Sequence, residues 1–168
     1  MQILETARVV LREIVPSDAD FILELLNEPS FHKYIGDKGV SDTTSARDYI
    51  ENNFRKSYKI NNFGLWLVET KDLKAPIGIC GFVKRETLDF PDIGFAFLTR
   101  YEKQGYGLES AKAVIEYGRT DLKMSKILAI TTPDNAASGR LLEKIGLTFE
   151  SNIESPSGEH LKLYSITL

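Results

Sequence analysis

Two glycines one residue apart, Gly105 and Gly107, stand directly before an amphipathic run in RYEKQGYGLESAKAVIEYGRT, residues 100–120. Such a turn lets backbone N–H groups converge on an anion, because the first turn of a helix has unpaired donors and a partial positive charge. The chemistry this implies is phosphate binding. A Walker loop would need Gly-Lys-Ser/Thr, whereas Gly107 is followed by Leu108 and Glu109. A dinucleotide fingerprint would put its glycines immediately after the first strand of the fold, and here they lie some residues beyond a later one.

Other residue types capable of chemistry are few. Cys80 is the only cysteine and lies inside the apolar run IGICGFV, where it reads as a small buried thiol rather than a reactive one. His32 and His160 are the only groups whose ordinary pKa is near neutrality. Neither is in a segment that suggests catalysis, so both read as structural or surface residues.

The elements that must position the glycine turn follow from periodicity. Val9 to Ile14 is β-rich and bounded by the Pro16-Ser17-Asp18 turn signal. A helix with Ser17 as N-cap carries Ile22, Leu25 and Leu26 on one face and is expected to end at Pro29. A second helix begins near Ser41, carries Ala46, Tyr49, Ile50 and Phe54, and runs out at residues 61–63. Phe63 to Glu69 and Ile77 to Val83 form a hairpin, and Asp92 to Thr99 a further strand. Leu108, Ala111, Val114, Ile115 and Leu122 make one apolar stripe, which predicts a helix over 107–120. Strand 126–131, helix 134–145 closed by Gly146, strand 147–152 and a last strand in LKLYSITL complete the order βααβββαβαββ. Antiparallel strands followed by a right-handed βαβ crossover predict an α/β (α+β) fold in one domain, residues 1–168, with a mixed, mostly antiparallel sheet flanked by helices on both faces.

Bulk properties narrow the function. The chain has 168 residues, 42% hydrophobic and 27% charged, enough for one sizeable core. A net charge of −3 with interspersed signs disfavours nucleic acid as a partner. No run approaches the roughly 18 apolar residues of a membrane helix. Glu5, Arg8 and Arg12 interrupt the N-terminus where a signal peptide would need an apolar stretch. The expectation is a cytoplasmic protein with no membrane partner, either a monomer or a homodimer.

Three blocks then give the chain a specific resemblance. YEKQGYGLESAKAVIEYG resembles the pyrophosphate loop Gln/Arg-x-x-Gly-x-Gly/Ala of the GNAT N-acetyltransferases. NAASGRLLEKIGLTFE is similar to the Asn-x-x-Ser-x-x-x-x-Glu-Lys-x-Gly-Phe block of the RimJ/RimL branch, and TARVVLREI to its Thr-x-Arg-Leu-x-Leu-Arg start. The blocks cover most of the chain in the family's order. Two positions depart from the pattern: Glu102 stands in place of Gln or Arg, and Leu147 in place of Phe.

The resemblance implies acetyl-CoA as co-substrate, no metal, and an amine acceptor. Backbone amides of Gln104, Gly105, Tyr106, Gly107 and Leu108 would hold the pyrophosphate. Phe97, Leu98 and Thr99 would pair with the pantetheine arm as an added strand, and Asn135 would hydrogen-bond the cofactor. A plain helix-start turn at the glycines, and Asn135 capping its own helix, remain the structural alternatives. For the reaction, a backbone N–H near Leu98 would stabilise charge developing on the thioester oxygen. The family's frequent Tyr is Leu142 here, and Ser138 matches the serine that relatives place near the sulfur, its alternative being a serine bonded only to backbone. Asp92 opens DIGFAFL where relatives carry Glu and would act as general base, its alternative being an exposed carboxylate at a strand end. The RimJ/RimL members acetylate ribosomal-protein N-termini, so a protein or peptide α-amine is the expected acceptor. A polyamine, amino acid or aminoglycoside, or a CoA-sensing module without turnover, are the other readings.

Overall fold

Eight strands form one sheet in the computed structural model, which describes residues 1–168. They are β1 (Gln2–Glu5), β2 (Val9–Arg12), β3 (Leu65–Thr70), β4 (Pro76–Val83), β5 (Asp92–Phe97), β6 (Lys126–Thr131), β7 (Thr148–Glu154) and β8 (His160–Thr167). Their order across the sheet is β1-β2-β3-β4-β5-β6-β8-β7. Neighbours are antiparallel throughout except β5 and β6, which are parallel. The six helices are α1 (Ala19–Leu26), α2 (Pro29–Tyr34), α3 (Thr43–Tyr49), α4 (Lys56–Asn61), α5 (Tyr106–Thr120) and α6 (Ala136–Lys144).

The helices cover both faces, as expected. Side chains alternate across a strand, so the central strands β3 and β4 feed two cores. On one face Ala111, Val114 and Ile115 of α5, Leu142 of α6 and Ile145 just after it pack with Trp66, Cys80, Phe82, Ile93 and Ile127. On the other, Ile22 and Leu25 of α1 and Ala46 of α3 pack on Leu67, Ile79 and Leu98. Cys80 is fully buried, and burial pushes its thiol well above its ordinary value, in keeping with a structural role.

Several local readings change. β1 escaped notice because it is four residues long and joins β2 through a tight turn closed by Thr6 N–H to Val9 O at 2.9 Å. Pro29 ends α1 but also starts α2, since the first helical position needs no N–H. Ser17 is not an N-cap: it lies in the 3₁₀ turn Pro16–Asp18. There the Asp18 carboxylate accepts Val15 N–H at 2.8 Å while Arg12 grips it from the other side, at 2.8 and 2.9 Å. The second helix is capped by Asp42, whose Oδ1 accepts Ser45 N–H at 2.7 Å, and a π-helical segment Ile50–Arg55 joins α3 to α4. Gly146 does close the end of α6 in the left-handed region, φ +103°.

Gly118 shows how closely α5 sits on the sheet. A Cβ added there would lie 2.8 Å from Phe82 Cζ and 3.3 Å from Ile127 Cδ1. Gly118→Ala gains roughly 1 kcal/mol of helix propensity but overpacks the core at a cost of about 1–3 kcal/mol. Chemical denaturation should therefore show a net loss of about 1 kcal/mol with an unchanged m-value, and equal or greater stability would mean that the Phe82 ring yields freely.

Candidate active site

The parallel pair β5–β6 is joined at one register position only, Asp92 opposite Leu128, with Leu128 N–H donating to Pro91 O at 2.9 Å. Beyond that point the strands part and leave a gap in the sheet. Antiparallel ladders alternate bonded and non-bonded pairs. Leu98 N–H donates to Ile77 O at 2.9 Å, so the even-numbered residues of β5 bond β4, and Phe95 and Phe97 turn their N–H and C=O toward the gap.

This corrects one expectation. Leu98 is fully buried and its N–H is occupied across the sheet, so it does not face the gap. Thr99 has left the strand for a 3₁₀ turn, and its N–H donates to Glu28 Oε1 at 3.1 Å. Of Phe97, Leu98 and Thr99, only Phe97 offers backbone groups to an added strand.

The glycine turn stands beside this gap. Gly105 caps α5 in the left-handed region at φ +86°, where a side chain is disfavoured. The first backbone bond of the helix runs from Glu109 N–H to Gly105 O at 3.0 Å, and the N–H groups of Gln104, Gly105, Tyr106, Gly107 and Leu108 find no acceptor in the chain. Gly107 permits three segments to converge: a Cβ there would lie 3.1 Å from Leu141 Cδ1 of α6 and 3.6 Å from Phe97 Cε2 of β5. Five free donors at the N-terminus of a fifteen-residue helix suit a diphosphate.

Asn135 and Ser138 open α6 on the flank that carries Leu141, three residues further on. Asn135 Oδ1 accepts Ser138 N–H at 3.3 Å, so the asparagine does cap its helix. Its amide N–H₂ makes no hydrogen bond in the chain and stays available to a ligand, as does the Ser138 hydroxyl. Both residues are half-buried.

Asp92 is not an exposed strand-end carboxylate. It is 2% exposed, sits where β5 and β6 part, and accepts a hydrogen bond from Arg85 Nε at 3.0 Å. Burial raises its pKa to about 6, and the attraction of Arg85 only partly offsets this. By parity its side chain shares the α1/α3 face with Ala96, whereas Ile93 belongs to the α5 face. His32 and His160 are both exposed, the latter 3.8 Å from Glu154 on the β7–β8 hairpin, and neither joins this group.

Sequence reasoning gave no task to Arg85, which bonds Asp92, to Arg8, which bonds Gln104 O, to Glu109, which bonds Gly105 O, or to Thr6 and Glu28 one contact further out. For Thr6 and Arg8 a signal was present in the Thr-x-Arg spacing of the opening block. Glu109 gave none, because a carboxylate in a first helical turn is ordinary.

A profile of the acetyltransferase (GNAT) domain matches residues 8–148. YoaA of Bacillus subtilis (strain 168), described as an uncharacterized N-acetyltransferase, is 31% identical, the match covering 88% of this chain and 84% of that protein. The ribosomal-protein-S5-alanine acetyltransferase of Vibrio fischeri shares the fold with a TM-score of 0.81 at 17% identity, over 99% of this chain and 96% of that one. RimL, the ribosomal L7/L12 α-N-protein acetyltransferase, solved in complex with coenzyme A, superposes with a TM-score of 0.83 at 13% identity, over 100% and 98% of the two chains. The chain belongs to the GNAT family of acetyltransferases, which take the acetyl group from acetyl-CoA and pass it to an amine. No helix is long and apolar enough to cross a membrane.

Proposed function

We propose that this acetyltransferase acts on the α-amine of a protein or peptide N-terminus. The observation that carries this reading is Asp92, a buried carboxylate with a pKa of about 6 at the vertex of the gap. Acetyl-CoA supplies an activated acyl carbon with a thiol leaving group. The free N–H groups of Gln104 to Leu108 would hold its diphosphate, Asn135 would hydrogen-bond it, and Phe97 would pair with its pantetheine arm from the β5 edge. These residues lie on the α5/α6 face of the sheet. The amine would approach from the α1/α3 face, toward which Asp92 points, and lose its proton to that carboxylate directly or through one water. A backbone N–H on the gap side of β5, that of Phe95, replaces Leu98 as donor to the developing charge, because Phe97 lies five residues, roughly 16 Å of extended chain, from Asp92. The Ser138 hydroxyl would donate toward the departing sulfur.

A base this weak suits a weakly basic amine. An α-amine of pKa about 8 is roughly a tenth neutral at pH 7, while a lysine near 10.4 starts about 3 kcal/mol behind. The similar fold of two ribosomal-protein acetyltransferases supports the same choice.

The test is thiol release from acetyl-CoA against Ala- and Ser-initiated peptides, free lysine, spermidine and an aminoglycoside at pH 7. Peptide N-termini should give the highest kcat/KM, and a clear preference for spermidine, lysine or the aminoglycoside would overturn the assignment. On the peptide, Ser138→Ala should lower kcat about tenfold with the acetyl-CoA Kd unchanged, as for loss of one hydrogen bond made in the transition state. An unchanged kcat would remove Ser138 from the reaction.

A further inference from the structure

The residues bracing the outer side of the glycine turn come from the other end of the chain. Arg8, in the turn between β1 and β2, donates from its backbone N–H to Glu109 Oε2 at 2.9 Å and from Nε to Oε1 at 2.7 Å. Thr6 Oγ1 donates to the same carboxylate. Burial alone would raise the pKa of Glu109, but these bonds outweigh it and hold the carboxyl below its ordinary range. The guanidinium is thereby fixed. Its Nη1 then donates to Gln104 O at 3.0 Å, and its Cζ lies 4.3 Å from the centre of the Tyr106 ring.

We infer that Arg8 is a positioning residue for the diphosphate-binding turn, acting by holding the Gln104–Gly105 peptide in the orientation that aims Gly105 N–H at the ligand. This rests on the assignment of acetyl-CoA to that turn. In a trans peptide the C=O and the following N–H point in opposite directions. Fixing the Gln104 oxygen on the Arg8 side therefore sends the Gly105 N–H to the opposite side.

Glycine at 105 would otherwise permit the peptide to flip, since it adopts either sign of φ with similar ease. A flip would turn a carbonyl oxygen toward the diphosphate. The turn also contains Lys103 at φ +59°, a conformation costly for a residue with a Cβ, so the segment is held in shape by its surroundings. Glu102, Lys103 and Gln104 are exposed, and the one side-chain bond from this segment, Gln104 Nε2 to Arg100 O at 3.0 Å, stays within it. The brace from outside the turn is supplied by Arg8.

The Arg8–Glu109 pair is half-exposed on the arginine side, and pairs of that kind add little to folding. The effect should therefore appear in donor binding rather than in stability. Calorimetric titration with CoA and initial-rate kinetics with acetyl-CoA and acetyl-pantetheine, which lacks the diphosphate, separate the possibilities. Arg8→Ala should raise the CoA Kd and the acetyl-CoA KM about tenfold while leaving the acetyl-pantetheine KM within twofold. Arg8→Lys should recover little, since a single ammonium cannot serve Glu109 and Gln104 O together in the guanidinium's geometry. Glu109→Ala, which keeps the arginine but releases it, should give the same pattern.

An unchanged CoA Kd in Arg8→Ala, or an equal loss with acetyl-pantetheine, would overturn the inference. Should any variant unfold, Thr6→Val loosens the same carboxylate more gently and should shift the CoA Kd two- to threefold in the same direction; no shift would count against the inference. Failure of the parent protein to bind CoA at all would instead remove the donor assignment beneath it.

Discussion

Replacing Gly105 by valine should abolish useful acetyl-CoA binding, with an increase in Kd of at least about thirtyfold, or roughly 2 kcal/mol. Gly105 sits at φ +86°. A left-handed conformation costs an ordinary L-residue about 1–2 kcal/mol, and a β-branched one more. The added Cβ would also lie 3.1 Å from Arg8 Nη2. The turn can relieve the strain only by rotating its peptides, which scatters the N–H groups that converge here. Gly105→Ala should fall between the parent and valine. Titration with CoA reads the effect without reference to any acceptor, and a Kd within twofold of the parent would mean that the diphosphate is held elsewhere. The unfolding midpoint should drop only modestly, because residue 105 is exposed.

Asp92→Asn should lower kcat/KM by about 10²–10³ with a peptide acceptor while the CoA Kd stays within twofold. The parent should show an acid limb with an apparent pKa of about 6, since the carboxylate is the working form and the rate rises as pH increases through that value. The variant should lose the limb. Stability moves the opposite way. Because burial raises the folded-state pKa above the unfolded value of about 3.9, the carboxyl's contribution is fully present below pH 3.9 and is lost as pH rises through about 6. At pH 7 the parent therefore carries a buried charge that Arg85 and the Asp92 backbone N–H only partly offset. Asparagine removes that charge, so Tm at pH 7 should hold or rise even as turnover falls. A retained acid limb in Asp92→Asn would assign the proton transfer to another group.

Most of the strand and helix order was readable because most elements have a full period of apolar residues and a turn signal at the end. The stripe from Leu108 through Ile115 and the Gly146 stop both stand where periodicity puts them. β1 and α2 were not readable: β1 has no alternation of buried and exposed positions, α2 buries only Phe31, and Pro29 carries opposite meanings for the helix it ends and the one it begins. The glycine turn was legible from the types of Gly105 and Gly107, the first needing a left-handed φ and the second room for Leu141. Asp92 showed its identity but not its burial, which depends on the pairing of β5 with β6 at Leu128, a position distant in sequence. The exclusion of Leu98 from the gap depends on strand register, and single-residue register is invisible until the partner strand is placed. The Arg8–Glu109 pairing spans 101 residues, and neither side chain alone announces the other.

The divergence of β5 from β6 also bears on how the molecule holds together. Hydrogen bonding passes between β1–β5 and β6–β8–β7 at one register position, so the sheet is two ladders hinged at Asp92, with the packing of α5 and α6 carrying the rest of the connection. Hydrogen exchange should therefore show amide opening divided into two units with separate free energies. A ligand strand lying in the gap would supply cross-links that the polypeptide omits, and its occupancy would draw the two units toward a single cooperative transition.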